Sequence, residues 1–208
     1  MAEQGILLVI SGFSGAGKGT LIQTLMGKYG NYALSISATT RSPRAGEVDG
    51  REYFFKTKEA FEGMIAADEL IEYACYVGNY YGTPKTYVEE TLAGGKDVIL
   101  EIEIQGAMKI KERYPEAVLV FLSPPSGEEL KRRLTKRGTE SQEVIDSRLS
   151  RAAQEAVGIE EYGYFVVNDV IDTCAEQVHG IMRSEHARAS RNRELIERIK
   201  TEVKAFQK

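Results

Sequence analysis

The chain is poor in the residues that staple, coordinate or anchor a protein. Only two cysteines occur in its 208 residues, Cys75 and Cys174, far apart and outside any C-x-x-C or Cys/His cluster. A disulfide scaffold is thereby excluded, and a structural zinc or redox pair lacks ligands at usable spacing. The apolar run at residues 6–10 is far too short to cross a bilayer, and no basic segment with a cleavage site precedes it. The expectation is a cytoplasmic protein without signal peptide or membrane contact. Prolines number only 5, while 42% of residues are hydrophobic and 28% charged, a composition that excludes a disordered chain. Basic charge is also short: a net charge of −4 makes the long-range field repel nucleic acid, so anionic ligands need local basic pockets. The two histidines, His179 and His186, sit in a polar helical pattern with no Ser, Cys or carboxylate partner motif, so neither is assigned to catalysis.

The length suits one large domain, or a core carrying insertions. Residues 5–10, Gly-Ile-Leu-Leu-Val-Ile, are apolar without alternation, the pattern of a strand covered on both faces in a parallel sheet. Residues 97–102, 117–122 and 164–168 repeat that pattern between helical stretches, which predicts an α/β protein of three layers around a mostly parallel central sheet. Residues 34–91 read differently, as short β runs punctuated by Gly and charges, and predict an inserted, β-rich subdomain. Residues 126–151 hold two helical stretches joined around Arg137-Gly138-Thr139 and predict a mobile helical lid. The core of this single domain then comprises residues 1–33, 92–125 and 152–208. Near the end, Leu195, Ile199, Val203 and Phe206 recur every three or four residues, which predicts one long amphipathic helix from residue 175 onward. Its basic residues read as a solvated outer face rather than an RNA contact.

The most specific signal is Gly12-Phe-Ser-Gly-Ala-Gly-Lys-Gly-Thr20, which follows the first buried strand and opens an amphipathic helix. That is the context of a Walker A loop, in which glycines let backbone N–H groups converge on phosphate oxygens and Lys18 adds a compact cation. Gly19 stands where the loop usually has a hydroxyl, with Thr20 one place later, so position 19 cannot ligate Mg²⁺. The ion would rely on phosphate oxygens, water and a distant carboxylate.

Other candidates carry alternatives on spacing alone. Arg41 and Arg44 flank Pro43 and could grip one phosphate with two guanidinium forks, or form a solvated basic turn. Glu72 interrupts the apolar run Leu70-Ile-Glu-Tyr73; alternation along a strand could point it to solvent, or its carboxylate could accept paired hydrogen-bond donors from a ligand. Glu101 and Glu103 flank Ile102 at the end of a buried strand and so project the same way, near the edge where open sheets bind ligands. Arg133 and Arg137, four apart, share a helical face, and Arg148 lies on the next helix; a charged solvated surface is the plain alternative.

The Gly-Lys-Gly-Thr form of the loop occurs among nucleoside monophosphate kinases, and further stretches narrow the choice. They are residues 35–47 (Ser-Ile-Ser-Ala-Thr-Thr-Arg-Ser-Pro-Arg-Ala-Gly-Glu), Asp49-Gly-Arg-Glu-Tyr-Phe-Phe55, Phe61 with Ile71-Glu-Tyr-Ala74, and Gly78-Asn-Tyr-Tyr-Gly-Thr83. Beyond them come Leu100-Glu-Ile-Glu103, Pro124-Pro-Ser126, Arg137-Gly-Thr-Glu140 and Val167-Asn-Asp169. In this order they resemble guanylate kinase across most of residues 5–170. Two departures are Phe13, where many relatives have Pro, and Glu101, where many have the Asp of a Walker B position.

The resemblance implies a P-loop NTPase fold with a GMP-binding insert and a lid. It also implies transfer of the γ-phosphoryl group of MgATP to GMP, and to dGMP, giving ADP and GDP in purine nucleotide metabolism and GMP recycling. It assigns ATP to Gly12, Phe13, Ser14, Gly15, Ala16, Gly17, Lys18, Gly19 and Thr20, with Arg133, Arg137 and, at the adenine, Asn168. The phosphate of GMP falls to Arg41, Arg44, Tyr53 and Tyr81, and its base to Glu72 assisted by Ser37 and Thr83, with Glu101 and Glu103 close by. Lys18, Arg41, Arg133, Arg137 and Arg148 form the implied catalytic set, and Mg²⁺ is held mainly by phosphates and water, with Glu101 in its outer surroundings. A kinase for a different monophosphate, and a silent phosphopeptide-binding module, are the competing readings. Monomer and homo-oligomer both stay open.

Overall fold

The structure is a computed structural model and describes residues 4–44, 46–76, 78–136 and 142–207. Five parallel strands form the central sheet in the order β2-β7-β1-β8-β9: β1 (Leu7–Gly12), β2 (Tyr32–Leu34), β7 (Asp97–Glu101), β8 (Val118–Ser123) and β9 (Tyr164–Val167). Both faces of the three central strands, β7, β1 and β8, are covered, which is why they are apolar without alternation, whereas Phe165 and Val167 of the edge strand β9 stay exposed. Leu8 and Ile10 of β1 pack with Leu21, Ile22 and Leu25 of α1 (Lys18–Lys28) and with Val178 and Met182 of α7 (Ile171–His186). Leu7 and Val9 face the other way, onto Val88 of α3 (Lys85–Ala93) and Ala107 and Ile110 of α4 (Ile104–Arg113). The expected three layers are therefore present, and β1, flanked by β7 and β8, delivers its C-terminal end to the middle of the sheet edge.

The insert carries a second, mixed sheet in the order β4-β3-β6-β5, made of β3 (Ala38–Thr39), β4 (Phe54–Phe55), β5 (Leu70–Tyr76) and β6 (Asn79–Pro84). It is less purely β than its sequence suggests, because α2 (Lys58–Ala66) lies within it. The Thr57 hydroxyl caps α2 by accepting from the N–H of Ala60 at 3.1 Å. Phe61 of α2 is fully buried and stacks on Tyr80 at 5.3 Å, giving the insert its own small core with Ala38 and Leu70. The lid region comprises α5 (Gly127–Lys136) and α6 (Gln142–Glu155), packed through Leu130, Leu134, Ile145 and Ala152. Helix α6 runs past the expected end at 151, and a 3₁₀ turn, Ala156–Glu161, returns the chain to β9. The expected joint at Arg137-Gly138-Thr139 lies outside the described residues.

The single long C-terminal helix does not form. It is two helices, α7 and α8 (Arg193–Lys204), broken where the Asn192 amide donates to the carbonyls of His186 and Arg188 at 2.8 and 2.9 Å. The stripe Leu195, Ile199, Val203 and Phe206 lies exposed on or just after α8. Both histidines serve the core edge. His179 stacks on Tyr29 at 3.7 Å and meets the Tyr32 hydroxyl at 2.9 Å, while His186 meets the buried Asp97 carboxylate at 2.9 Å. Among the described residues no helix is long and apolar enough to cross a membrane.

Candidate active site

β1 ends in the glycine-rich loop and α1 begins at Lys18, so the loop wraps the helix N-terminus. Two positions there require glycine. A Cβ on Gly12 (φ 152°) would lie 2.1 Å from the Leu122 carbonyl oxygen, and one on Gly17 (φ 95°) would lie 2.5 Å from Nδ2 of Asn168. Lys18 folds back along the loop, its Nζ donating to the carbonyls of Gly12 at 2.8 Å and Phe13 at 3.4 Å. Its ammonium is thereby held beside the backbone N–H groups that a phosphate would meet.

The loop is braced from the lid and from the end of β9. Asn168 is buried and donates its amide hydrogen to the Ala16 carbonyl at 2.8 Å. Arg133 of α5 reaches the carbonyl of Asn168 at 2.8 Å and that of Ala16 at 3.4 Å, and its Nε donates to Glu129 at 2.7 Å. Arg148 of α6 donates to the Ser14 hydroxyl at 3.0 Å. Two of the three lid arginines thus converge on the phosphate loop; Arg137 lies outside the described residues. Asn168, assigned by resemblance to the adenine, is engaged here in holding the loop's shape. Arg132 and Arg133 together hold the Glu129 carboxyl down to about 2, so it stays ionised as a counter-charge.

Between the insert, the C-terminal end of β7 and the start of the 3₁₀ turn lies a cavity of about 840 Å³ lined by Ser37, Tyr53, Glu72, Tyr81, Glu101 and Glu103 among others. Glu72 is only 8% exposed. The buried Thr83 hydroxyl donates to its Oε1 at 2.8 Å, so Thr83 sits behind the carboxylate and aims it. Burial pushes the Glu72 carboxyl above its ordinary range, opposed by the Thr83 hydrogen bond and the charge of Lys109. A buried carboxylate with one fixed donor and a face on a cavity wants further donors.

On the insert side, Arg41 packs over Tyr53 with its guanidinium 5.2 Å from the ring centre, and Tyr53 meets Tyr81 at 6.1 Å. Glu47 organises this corner, accepting from Arg41 Nη2 at 2.9 Å and from the Arg44 backbone N–H at 2.7 Å. The Arg44 residue itself is exposed. Glu101, last residue of β7, pairs in register with Ile10, two residues before Gly12, which puts it beside the entrance to the loop. Glu103 directly precedes α4 and forms an ion pair with Arg151 of α6, whose Nε also meets Glu155 at 3.1 Å. The partners of Glu47 and Arg151, 6 and 48 positions away, leave no periodic trace in the sequence. Among the described residues no three His, Cys, Asp or Glu side chains converge as a cation site.

The site thus sets a glycine-rich loop, overhung by arginines, beside an open-sided cavity whose lining includes the buried Glu72 carboxylate and the Arg151 guanidinium. A sequence model of the guanylate kinase family matches residues 4–185. The chain is 53% identical to guanylate kinase of Lactococcus lactis subsp. lactis, over 92% of this chain and 93% of that one. It is 50% identical to guanylate kinase of Caldanaerobacter subterraneus subsp. tengcongensis, over 96% and 97%. The crystal structure of guanylate kinase from Anaplasma phagocytophilum matches with a TM-score of 0.74 at 35% identity, covering 94% of this chain and 95% of that one. With these matches running along nearly the whole length, the chain belongs to the guanylate kinase family.

Proposed function

We infer that this protein transfers the γ-phosphoryl group of ATP to GMP, giving ADP and GDP. The observation that carries the acceptor assignment is the buried Glu72 carboxylate, oriented by Thr83, on the wall of a nucleotide-sized cavity. Guanine presents N1–H and N2–H₂ side by side to such a carboxylate, whereas adenine presents an acceptor at N1 and leaves the buried charge unsatisfied. Ser37, on the same wall, is the further polar contact for the base. Arg41, Arg44, Tyr53 and Tyr81 then meet the monophosphate. Because these groups read base and phosphate rather than the sugar 2′ position, dGMP is an acceptor as well.

The donor lies along the glycine-rich loop, with Lys18 on its terminal phosphates and Arg133, Arg137 and Arg148 closing from the lid. Magnesium enters with ATP as part of the substrate and neutralises phosphate charge. No side chain acts as nucleophile: a phosphate oxygen of GMP attacks the γ-phosphorus, the bond to the β–γ bridging oxygen breaks, and ADP leaves. The protein's part is to align the two nucleotides end to end, exclude water by lid closure, and stabilise charge on the transferred group. Such an enzyme belongs in guanine nucleotide recycling in the cytoplasm. Lys18, Gly17, Arg133 and Arg148 are all in place on the donor side, which disfavours a silent binding module. A coupled assay with GMP, AMP, CMP and UMP tests this reading: turnover on GMP should exceed the others by roughly 10⁴. Faster turnover on any of the other three would overturn it.

A further inference from the structure

We propose that the ridge of α4 formed by Gly106, Lys109 and Arg113 positions the Glu72 carboxylate, making Lys109 a specificity-setting positioning residue of the transfer reaction. The proposal rests on the assignment of Glu72 to the acceptor base. The three residues are spaced i, i+3 and i+7, so they share one helical face, and each touches β5 or the turn before it. Lys109 Nζ donates to the Tyr73 carbonyl at 3.0 Å. Arg113 Nη1 donates to the Leu70 carbonyl at 3.0 Å and the Ile71 carbonyl at 3.4 Å, while its Nη2 grips both oxygens of Asp68 at 2.7 and 2.6 Å. The carbonyls on either side of Glu72 are thus fastened to α4.

β5 needs this support because, among the described residues, it is an edge strand paired only with β6, and its register shifts between Leu70 and Tyr73. Glu72 sits inside that irregularity, and strand irregularities of this kind re-aim side chains. Gly106 shapes the other side of the pocket. A Cβ there would lie 3.3 Å from Glu72 Oε2 and 3.4 Å from Ile102 Cδ1, closer than an ordinary side-chain contact. One carboxylate oxygen is therefore fixed by the Thr83 hydroxyl and the other is given room by Gly106. Lys109 also opposes the effect of burial on the Glu72 carboxyl, favouring the ionised form that accepts two N–H groups. The other charged or titratable groups around it are Glu101 at the end of β7 and Glu103 just before α4, Tyr53, Cys75 and Tyr81 from the insert, and Arg151 and Glu155 from α6, with Asp68, Tyr73, Glu112 and Arg113 on the side of Lys109. Since α4 starts directly after Glu103, the ridge ties the strand that reads the base to the sheet edge where transfer occurs.

The test compares GMP with IMP as acceptors in the full-length enzyme. IMP keeps N1–H but lacks the 2-amino group, so the GMP/IMP ratio of kcat/KM reports how well the carboxylate bridges two donors. Lys109→Met should raise KM for GMP about fivefold, the size of one net hydrogen bond. It should lower the GMP/IMP ratio, shift the acid limb of kcat/KM for GMP to higher pH, and leave kcat and KM for ATP within about twofold. Lys109→Arg should restore most of the ratio. Gly106→Ala, pressing on the same carboxylate from its other side, should lower the ratio too. An unchanged ratio in both Lys109→Met and Gly106→Ala, or equal loss on both acceptors with a fall in Tm, would overturn the proposal and leave the ridge a structural strap. Wild-type enzyme that failed to turn over GMP would instead remove the acceptor assignment beneath it.

Discussion

Replacing Glu72 by Gln separates recognition from stability, because the two should move in opposite directions. The carboxylate is 8% exposed and has one short hydrogen bond, from Thr83, so in the empty protein its charge is poorly compensated. In the GMP complex it would accept two N–H groups, each a charge-assisted hydrogen bond worth about 1.5–3 kcal/mol. Gln keeps an acceptor for Thr83 and for one of those groups, but turns an NH₂ toward the other donor. The loss in kcat/KM for GMP should be about 3 kcal/mol or more, a factor of at least ~10². Stability should change the other way. A carboxyl whose folded pKa is raised destabilises the fold at neutral pH, and the penalty is relieved as pH falls and the group takes its proton. Ligand-free Glu72→Gln should therefore match or exceed the wild-type Tm at pH 7, with the gap closing as pH drops through the carboxyl range. Steady-state kinetics on GMP, with thermal melts of the empty protein at pH 7 and pH 4.5, make the test. A Tm well below wild type at pH 7, with turnover on every monophosphate falling together, would refute the reasoning.

Lys18→Ala should cut kcat by at least ~10²–10³, the usual effect of removing a group that stabilises transferring charge, while calorimetric GMP affinity stays within about twofold. Equal loss of both would misplace the lysine. Arg44→Ala should weaken GMP about tenfold and leave guanosine binding unchanged, because an exposed guanidinium at the insert addresses only the phosphate; parallel titrations with the two ligands decide. His179, stacked on Tyr29, has its pKa lowered from 6.5 by burial first and Arg183 next. Its contribution is thus fully present above about pH 6.5 and is lost as pH falls through the lowered folded value. Wild-type Tm should fall relative to His179→Phe between pH 7 and pH 5, and parallel Tm profiles would contradict the assignment.

Much of the fold was legible in the sequence for one physical reason: strands covered on both faces must be apolar along their buried length, and β1, β7 and β8 carry that mark; β9 is apolar too, yet at the sheet edge its Phe165 and Val167 are exposed. The glycine-rich loop was equally plain, since Gly12 and Gly17 occupy backbone conformations and close approaches that other residues would clash with. Glu72 was only half legible. Alternation along β5 permits a solvent-facing carboxylate, and its burial depends on α4 and β6 closing around it from distant parts of the chain. The C-terminal helix was misjudged because an apolar period can continue across a break that only Asn192 marks, and the same stripe suits an exposed face as well as a buried one. Contacts such as Arg151 with Glu103, or Arg113 with Asp68, join helices to distant segments without any local pattern to announce them.

The most direct measurement is the structure of the protein bound to GMP. Both carboxylate oxygens of Glu72 should lie within hydrogen-bonding distance of guanine N1 and N2, with the monophosphate between Arg41 and Tyr81 and directed toward Lys18. A bound GMP whose base leaves Glu72 facing solvent, or whose phosphate points away from the glycine-rich loop, would contradict the account.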